Sequence, residues 1–177
     1  VFSTYLYKGD DTTNRGINNG INLSGDGGMV MVRPRNTNIG INIFDTERGA
    51  NKRLWTEADY AEGTNTACLT QFNNNGFNVS SNHQTNGPWN YWSTTFRKQK
   101  GFFDIVTYSG NDGSSNSIPH SLGCVPGLIM IKCTSTASTD WIVYHRSTDK
   151  IEPEEIPLCI HGQGSYAKKI MPSDVLG

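Results

Sequence analysis

The sequence is short of charge, of long apolar runs and of paired cysteines, and each shortage removes a class of function. Charged residues make up 18% of the 177, with 15 Lys and Arg against 16 Asp and Glu and a net charge of −1. That balance, with a pI of about 6.5, gives no electrostatic footprint for nucleic acid or an anionic membrane surface. No run approaches the ~18 apolar residues that a membrane span requires, so no insertion is expected. Cys68, Cys124, Cys133 and Cys159 are scattered without a C-x-x-C pair, and no Cys/His spacing suits zinc. They are expected to be free buried thiols, a single disulfide being the alternative. Val1-Phe2-Ser3 resembles neither a signal peptide nor an initiator start, so the chain is expected to be processed or to continue upstream.

Reactive constellations are equally scarce. His83, His120, His145 and His161 are isolated and no G-x-S-x-G elbow accompanies them, so the Ser-His-acid arrangement has no foothold. His145 aligns with Asp45 in the repeat described below, which reads as a surface position at a strand end. Glu152, Glu154 and Glu155 cluster in a proline-punctuated stretch and read as solvated acids, not as the facing pair of a glycosidase. Asp45, Glu47 and Arg48 are expected to form local salt bridges. Gly9-Asp10-Asp11 and Gly110-Asn111-Asp112-Gly113 have the oxygen-rich character that calcium prefers, but β-turns with Asn or Asp in the left-handed region account for them. No enzyme, metal or cofactor is expected.

What the chain does have is 19 Gly with abundant Asn, Ser and Thr, and seven Phe, seven Tyr and four Trp. Gly and Asn supply turns, and the aromatics supply a packed core. Strands are expected at 2–9, over Met29–Val32 and Ile39–Phe44 as a hairpin, at Leu69–Phe72 and Phe77–Val79 about an Asn75-Gly76 turn, and at Asn90–Arg97. In the last, Tyr91, Ser93 and Thr95 share one face and Trp92, Thr94 and Phe96 the other. Ile17, Ile21 and Leu23 can form a short strand, and Ser24 to Gly28 reads as a loop. Lys52 to Ala61 reads as a loop or one turn of helix.

The text then returns. Tyr5-Leu6-Tyr7-Lys8-Gly9 aligns with Val106-Thr107-Tyr108-Ser109-Gly110, Gly28 with Gly127, and Phe44 with Tyr144. The second hairpin is expected at Leu128–Ile131 and Trp141–Tyr144. The offset is about 100 residues throughout, domain-sized and too long for a solenoid repeat or propeller blade. A tandem duplication follows: a first module over 1–100 and a second β-module over 101–150, then an irregular tail over 151–177 that is expected to clasp a neighbouring protomer or to lead into further chain; the resemblance given below implies that the first module is a β-sandwich and the second a partial one. Lys98-Gln99-Lys100-Gly101 marks the boundary.

One loop has the chemistry of sugar binding, an aromatic face surrounded by amides: Asn86-Gly87-Pro88-Trp89-Asn90. Trp89, Asn86 and Asn90 are the candidate ligand contacts, with Trp55 a further one; the alternative for Trp89 is a core anchor. Trp92 and Trp141 read as core.

Phe44–Ala50 (FDTERGA), Leu69–Phe77 (LTQFNNNGF), Tyr91–Lys98 (YWSTTFRK), Val106–Asn111 (VTYSGN), Ile118–Lys132 (IPHSLGCVPGLIMIK) and Asp140–Ser147 (DWIVYHRS) occur in order. Together they resemble the virion-associated β-sandwich modules of marine and cyanobacterial tailed phages, which are similar to concanavalin-type, laminin-G-like jelly rolls. The resemblance covers about residues 1–147 and lapses after Arg146, where a further strand phrase like Tyr91–Lys98 does not return. It implies an all-β, jelly-roll-like antiparallel β-sandwich, tandemly repeated, with the second copy incomplete or divergent. It also implies a non-enzymatic virion structural protein, a tail-fibre or tail-associated adhesion module contacting the host surface. A capsid-surface decoration protein and a glycan-degrading enzyme on a lectin-like scaffold are the alternatives. The implied location is the virion, assembled in the host cytoplasm. The implied partners are other virion proteins, host-surface glycans and further copies of the chain, three by analogy with fibres.

Overall fold

The computed structural model describes residues 1–111, 115–147 and 158–159. Two antiparallel sheets form a sandwich. Strands β1 (Phe2–Lys8), β3 (Gly28–Pro34), β4 (Asn42–Asp45), β5 (Lys52–Trp55), β6 (Gly63–Thr64) and β9 (Asn90–Arg97) make the larger sheet, in the order β1-β9-β3-β4-β5-β6. The smaller sheet, β2-β8-β7, consists of β2 (Arg15–Asn18), β7 (Leu69–Asn73) and β8 (Gly76–Val79). Alternation aims one set of side chains from each sheet into the space between them. That core holds Tyr7, Ile17, Val30, Val32, Phe44, Leu69, Phe77, Val79 and Tyr91. β9 runs between β1 and β3, pairing Tyr7 with Tyr91 on one side and Val32 with Ser93 on the other. Its inner face is Tyr91, Ser93 and Thr95, all fully buried, the face that alternation assigns.

Two local expectations are corrected. Leu23–Asp26 is a single helical turn, α1, capped by the Asn22 side chain, which accepts from Gly25 N–H at 3.0 Å; an Asx cap of this kind organises a loop that looks featureless in sequence. Lys52–Trp55 is a strand and not a loop or helix. It pairs with β4 (Ile43 opposite Leu54), and Leu54 drops into an apolar cluster with Ile43. Tertiary pairing overrides a weak helical pattern here.

β10 (Leu128–Ile131) and β11 (Ile142–His145) form the later hairpin, and backbone pairing of Ile142 and Val143 with Cys159 and Leu158 adds β12 (Leu158–Cys159). Its register reproduces that of β3 and β4. Met29 faces Asp45 and Val30 faces Phe44 in the first hairpin; Leu128 faces His145 and Ile129 faces Tyr144 in the second. The closing bond matches too, Thr46 N–H to Gly28 O at 3.0 Å and Arg146 N–H to Gly127 O at 3.1 Å. By contrast, 102–110, which align with β1, form no ladder beyond a single bridge between Gln99 and Phe103.

The joint between the two regions is tight. Phe96 packs against Phe102 and Phe103 with ring centroids 6.3 and 5.4 Å away. Lys98 Nζ bridges Glu47 at 2.8 Å and Asp104 at 3.3 Å. Further along, Trp141 lies on the outer face of the larger sheet with Met29, Met31, Ile41, Ile43 and Leu54. Its indole N–H donates to the Trp55 carbonyl at 2.7 Å, which satisfies the one polar atom of an otherwise apolar side chain.

Candidate functional site

The loop before β9 is built around Asn86. Its side-chain oxygen accepts from Arg15 Nη1 at 2.9 Å and Asp10 N–H at 3.3 Å, and its amide nitrogen donates to Asp10 Oδ1 at 3.0 Å and the Thr12 carbonyl at 2.9 Å. The amide is engaged by Asp10 and Thr12 of the loop between β1 and β2 and by Arg15 at the start of β2, and the residue is fully buried. Asn86 therefore staples two loops together and does not face a ligand, a correction to the sequence reading. The sequence could not reveal this, because its partners lie more than 70 positions away.

Trp89 is half-buried, packed against the core and edge-on to His83 with centroids 5.0 Å apart. Asn90 is exposed at the start of β9. Trp89 and His83 thus share one loop surface, with His83 Nε2 3.6 Å from Asp11 Oδ1, whereas Asn90 belongs by alternation to the outer face of β9. Asp11 takes a left-handed backbone (φ 58°), and the Thr12 hydroxyl and N–H hold the Asp10 carboxyl at a pKa of about 2. These are the marks of a β-turn closed by an Asx bond, as expected for this loop. Asp112 and Gly113 of the equivalent loop lie outside the described residues.

Trp55 belongs to a different surface, three strands away across the sheet. Arg53 stacks over its indole at 4.4 Å from the centroid, and Tyr60 meets it edge-on at 5.5 Å. Tyr60 was not visible as a candidate from sequence. Arg53 would have been, had Lys52–Trp55 been read as a strand, since residues two apart share a face.

Asp45 is buried and bonds Arg48 Nε at 2.5 Å, with Glu62 on the other side of the guanidinium at 3.3 Å. The expected local salt bridge is present between Asp45 and Arg48, but in the interior, and Glu47 pairs instead with the distant Lys98; Asp45 is thus not the surface position its alignment with exposed His145 implied. The thiols also differ from expectation: Cys68 is buried, whereas Cys124 and Cys133 are exposed, all three free. Burial pushes the Cys68 thiol up to about 11, partly offset by Arg53. The hydrogen bond from Ser135 brings the Cys133 thiol down to about 7. Among the described residues no cluster of His, Cys, Asp and Glu is arranged for a metal ion, and no helix is long and apolar enough to cross a membrane. Glu152, Glu154, Glu155, His161 and most of the 151–177 tail lie outside the described residues.

Fold and loops define an all-β antiparallel sandwich. Residues 1–98 and again residues 92–158 match one family, described as Domain of unknown function (DUF7483). The chain belongs to that family. No curated protein and no solved structure matches it.

Proposed function

We propose that this chain is a non-enzymatic structural protein of a tailed-phage virion, a tail-fibre or tail-associated adhesion unit made by duplicating one sandwich module. The observation that carries the architectural part is the common register of the β3–β4 and β10–β11 hairpins, down to the closing bond at Gly28 and Gly127. The two stretches that match the same family support it. Trp141 covers the outer face of the first sheet, so neighbouring modules pack in series, as a load-bearing component requires. The virion assignment draws its support from the ordered phrases of the sequence.

Adhesion would fall to the loop before β9, where the Trp89 and His83 rings meet and the exposed Asn90 follows. Asn86 is left out of it. Further copies of the chain, arranged as a trimer, other virion proteins and host-surface glycans are the partners this role implies. Immunogold labelling of intact particles tests the location: label on tail fibres is expected, and label confined to the capsid surface would replace this reading with a decoration role. A glycan array with the wild-type chain and Trp89→Ala separates adhesion from a purely structural task. Retention of glycans by wild type and their loss in the variant is the adhesive outcome. Oligosaccharide release by the purified chain would overturn the non-enzymatic assignment.

A further inference from the structure

The outer face of the larger sheet changes character along its length. Across β3, β9 and β1 the ladders set side chains in rows: Met29 beside Phe96 and Phe96 beside Phe2, then Met31, Thr94 and Thr4, then Arg33, Trp92 and Leu6. One further row follows, in which Asn90 lies beside Lys8 and its carbonyl accepts from Arg35 N–H at 2.7 Å. Residues opposite one another on one face stand about 5 Å apart, so each row is a continuous strip of surface. The second region packs on the first two rows, with Trp141 against Met29 and Met31 and the Phe102 and Phe103 rings against Phe96.

The last two rows are built differently: they carry three cations, an indole and an amide. Lys8, Arg33, Arg35 and Asn90 are exposed, and Leu6 is 57% exposed. Trp92 is half-buried on this outer face, and not in the core to which the sequence reading assigned it. Neither row holds an acid. Asp10 and Asp11, just beyond Lys8, are turned to Arg15 and His83 at 3.4 and 3.6 Å, and Glu57 lies against Gly40. Among the described residues, no ion pair involves Lys8, Arg33 or Arg35. Arg33 Nε donates to the Ile39 carbonyl at 3.1 Å, which anchors the guanidinium through one of its three nitrogens. The net charge of −1 thus conceals a local cluster of positive charge around an aromatic side chain.

We propose that this end of the outer face binds an acidic polysaccharide, with a sugar ring lying against Trp92 and Leu6 and its carboxylates paired to Arg33, Arg35 and Lys8. The indole offers apolar surface to the face of a pyranose ring, and the Asn90 amide offers partners to its hydroxyls. Guanidinium groups match carboxylates two bonds at a time. Arg33 and Arg35, two residues apart along the chain, are about 7 Å apart, and Lys8 lies two strands over, about 10 Å away. The charges are therefore spread along a chain of sugars and do not converge on one small anion. Nucleic acid is the poorer fit, because three cations fall short of the roughly 6–10 phosphate contacts of a typical binder. This surface shares only Asn90 with the loop before β9, and the inference rests neither on that loop nor on a virion location.

The test is calorimetric titration of the full chain with hexagalacturonate at low salt, beside its methyl-esterified form, which keeps the rings and removes the charges. Saturable binding of the acid is expected, about ten-fold or more weaker for the ester, and weakened again in about 0.5 M NaCl. The Arg33→Gln, Arg35→Gln double variant alters exposed side chains only. It should keep the circular dichroism spectrum and lose affinity about ten-fold or more. Trp92→Ala should lose it as well, and Trp92→Phe, which retains a ring, should recover part of it. Lys100→Gln removes a cation elsewhere on the surface and should bind as wild type does. No binding of the acid, equal affinity for the ester, indifference to the double variant, or tighter binding of a single-stranded oligonucleotide of equal charge would overturn the proposal. Binding lost in Trp89→Ala but kept in the double variant would overturn it too, while leaving adhesion through the loop before β9 intact.

Discussion

The Tyr91 hydroxyl donates to the His83 carbonyl at 2.6 Å and accepts from Gly87 N–H at 2.7 Å, so one side chain fills the core and fastens the loop above it. Tyr91→Phe keeps the ring and leaves a buried amide and carbonyl short of a partner. The expected loss is about 1–3 kcal/mol, read by urea denaturation at pH 7. Burial pushes the Tyr91 hydroxyl up to about 12 from 10.0. Between those values the unfolded chain releases a proton that the folded one retains, so the contribution of this hydroxyl is constant below about pH 10 and falls as pH rises toward 12. Wild type should therefore lose part of its advantage over Tyr91→Phe across that window; a difference independent of pH would refute the linkage. At Cys133, with its thiol near 7, iodoacetamide labelling should reach half its maximal rate at about pH 7. A half-maximal point above pH 8.5 would show that the Ser135 contact does not persist in solution. Gly9→Ala should destabilise the first module severely, because the added methyl would overlap the Gly87 carbonyl oxygen, whereas Gly110→Ala should change stability by less than about 0.5 kcal/mol.

At the scale of elements, Trp141 is the apolar contact of the later hairpin with the first sheet, beside the backbone bonds of Thr134 and Thr139 to Glu62 and Asp59. Trp141→Ala removes a buried indole that also bonds the Trp55 carbonyl, a change of about 3–5 kcal/mol for a fully packed aromatic. The expected outcome is faster hydrogen exchange over 128–131 and 142–145 with little change over β3 and β9; equal acceleration everywhere would mean that the modules unfold as one. Elements with strict alternation were legible in the sequence. β9 has the predicted bounds and faces, and β3 stands over the Met29–Val32 run, whereas β4 begins only at Asn42 and leaves Ile39 and Ile41 of the alternating run in the connection. β5 was not legible, because four residues with Lys and Arg at two of them give no period and take their conformation from β4. The Trp89 loop was legible as a place but not as a set of contacts. Which way Asn86 points is decided by Asp10, Thr12 and Arg15 across the fold, and nothing within the loop encodes it.

At the scale of the whole molecule, every member of the main core cluster lies between Tyr7 and Tyr91. Residues 1–98 should therefore fold alone with a single cooperative transition, checked by calorimetry. The isolated fragment would bare Met29, Met31 and Ile43 and should self-associate more than the full chain. The corner at Lys98 has a mechanical consequence. Because the Phe96, Phe102 and Phe103 rings and the Glu47–Lys98–Asp104 bridge stitch it down, the two halves are not joined by a slack tether. Copies strung together through such a corner would each turn through the same angle, so a long array would wind with a regular pitch instead of wandering.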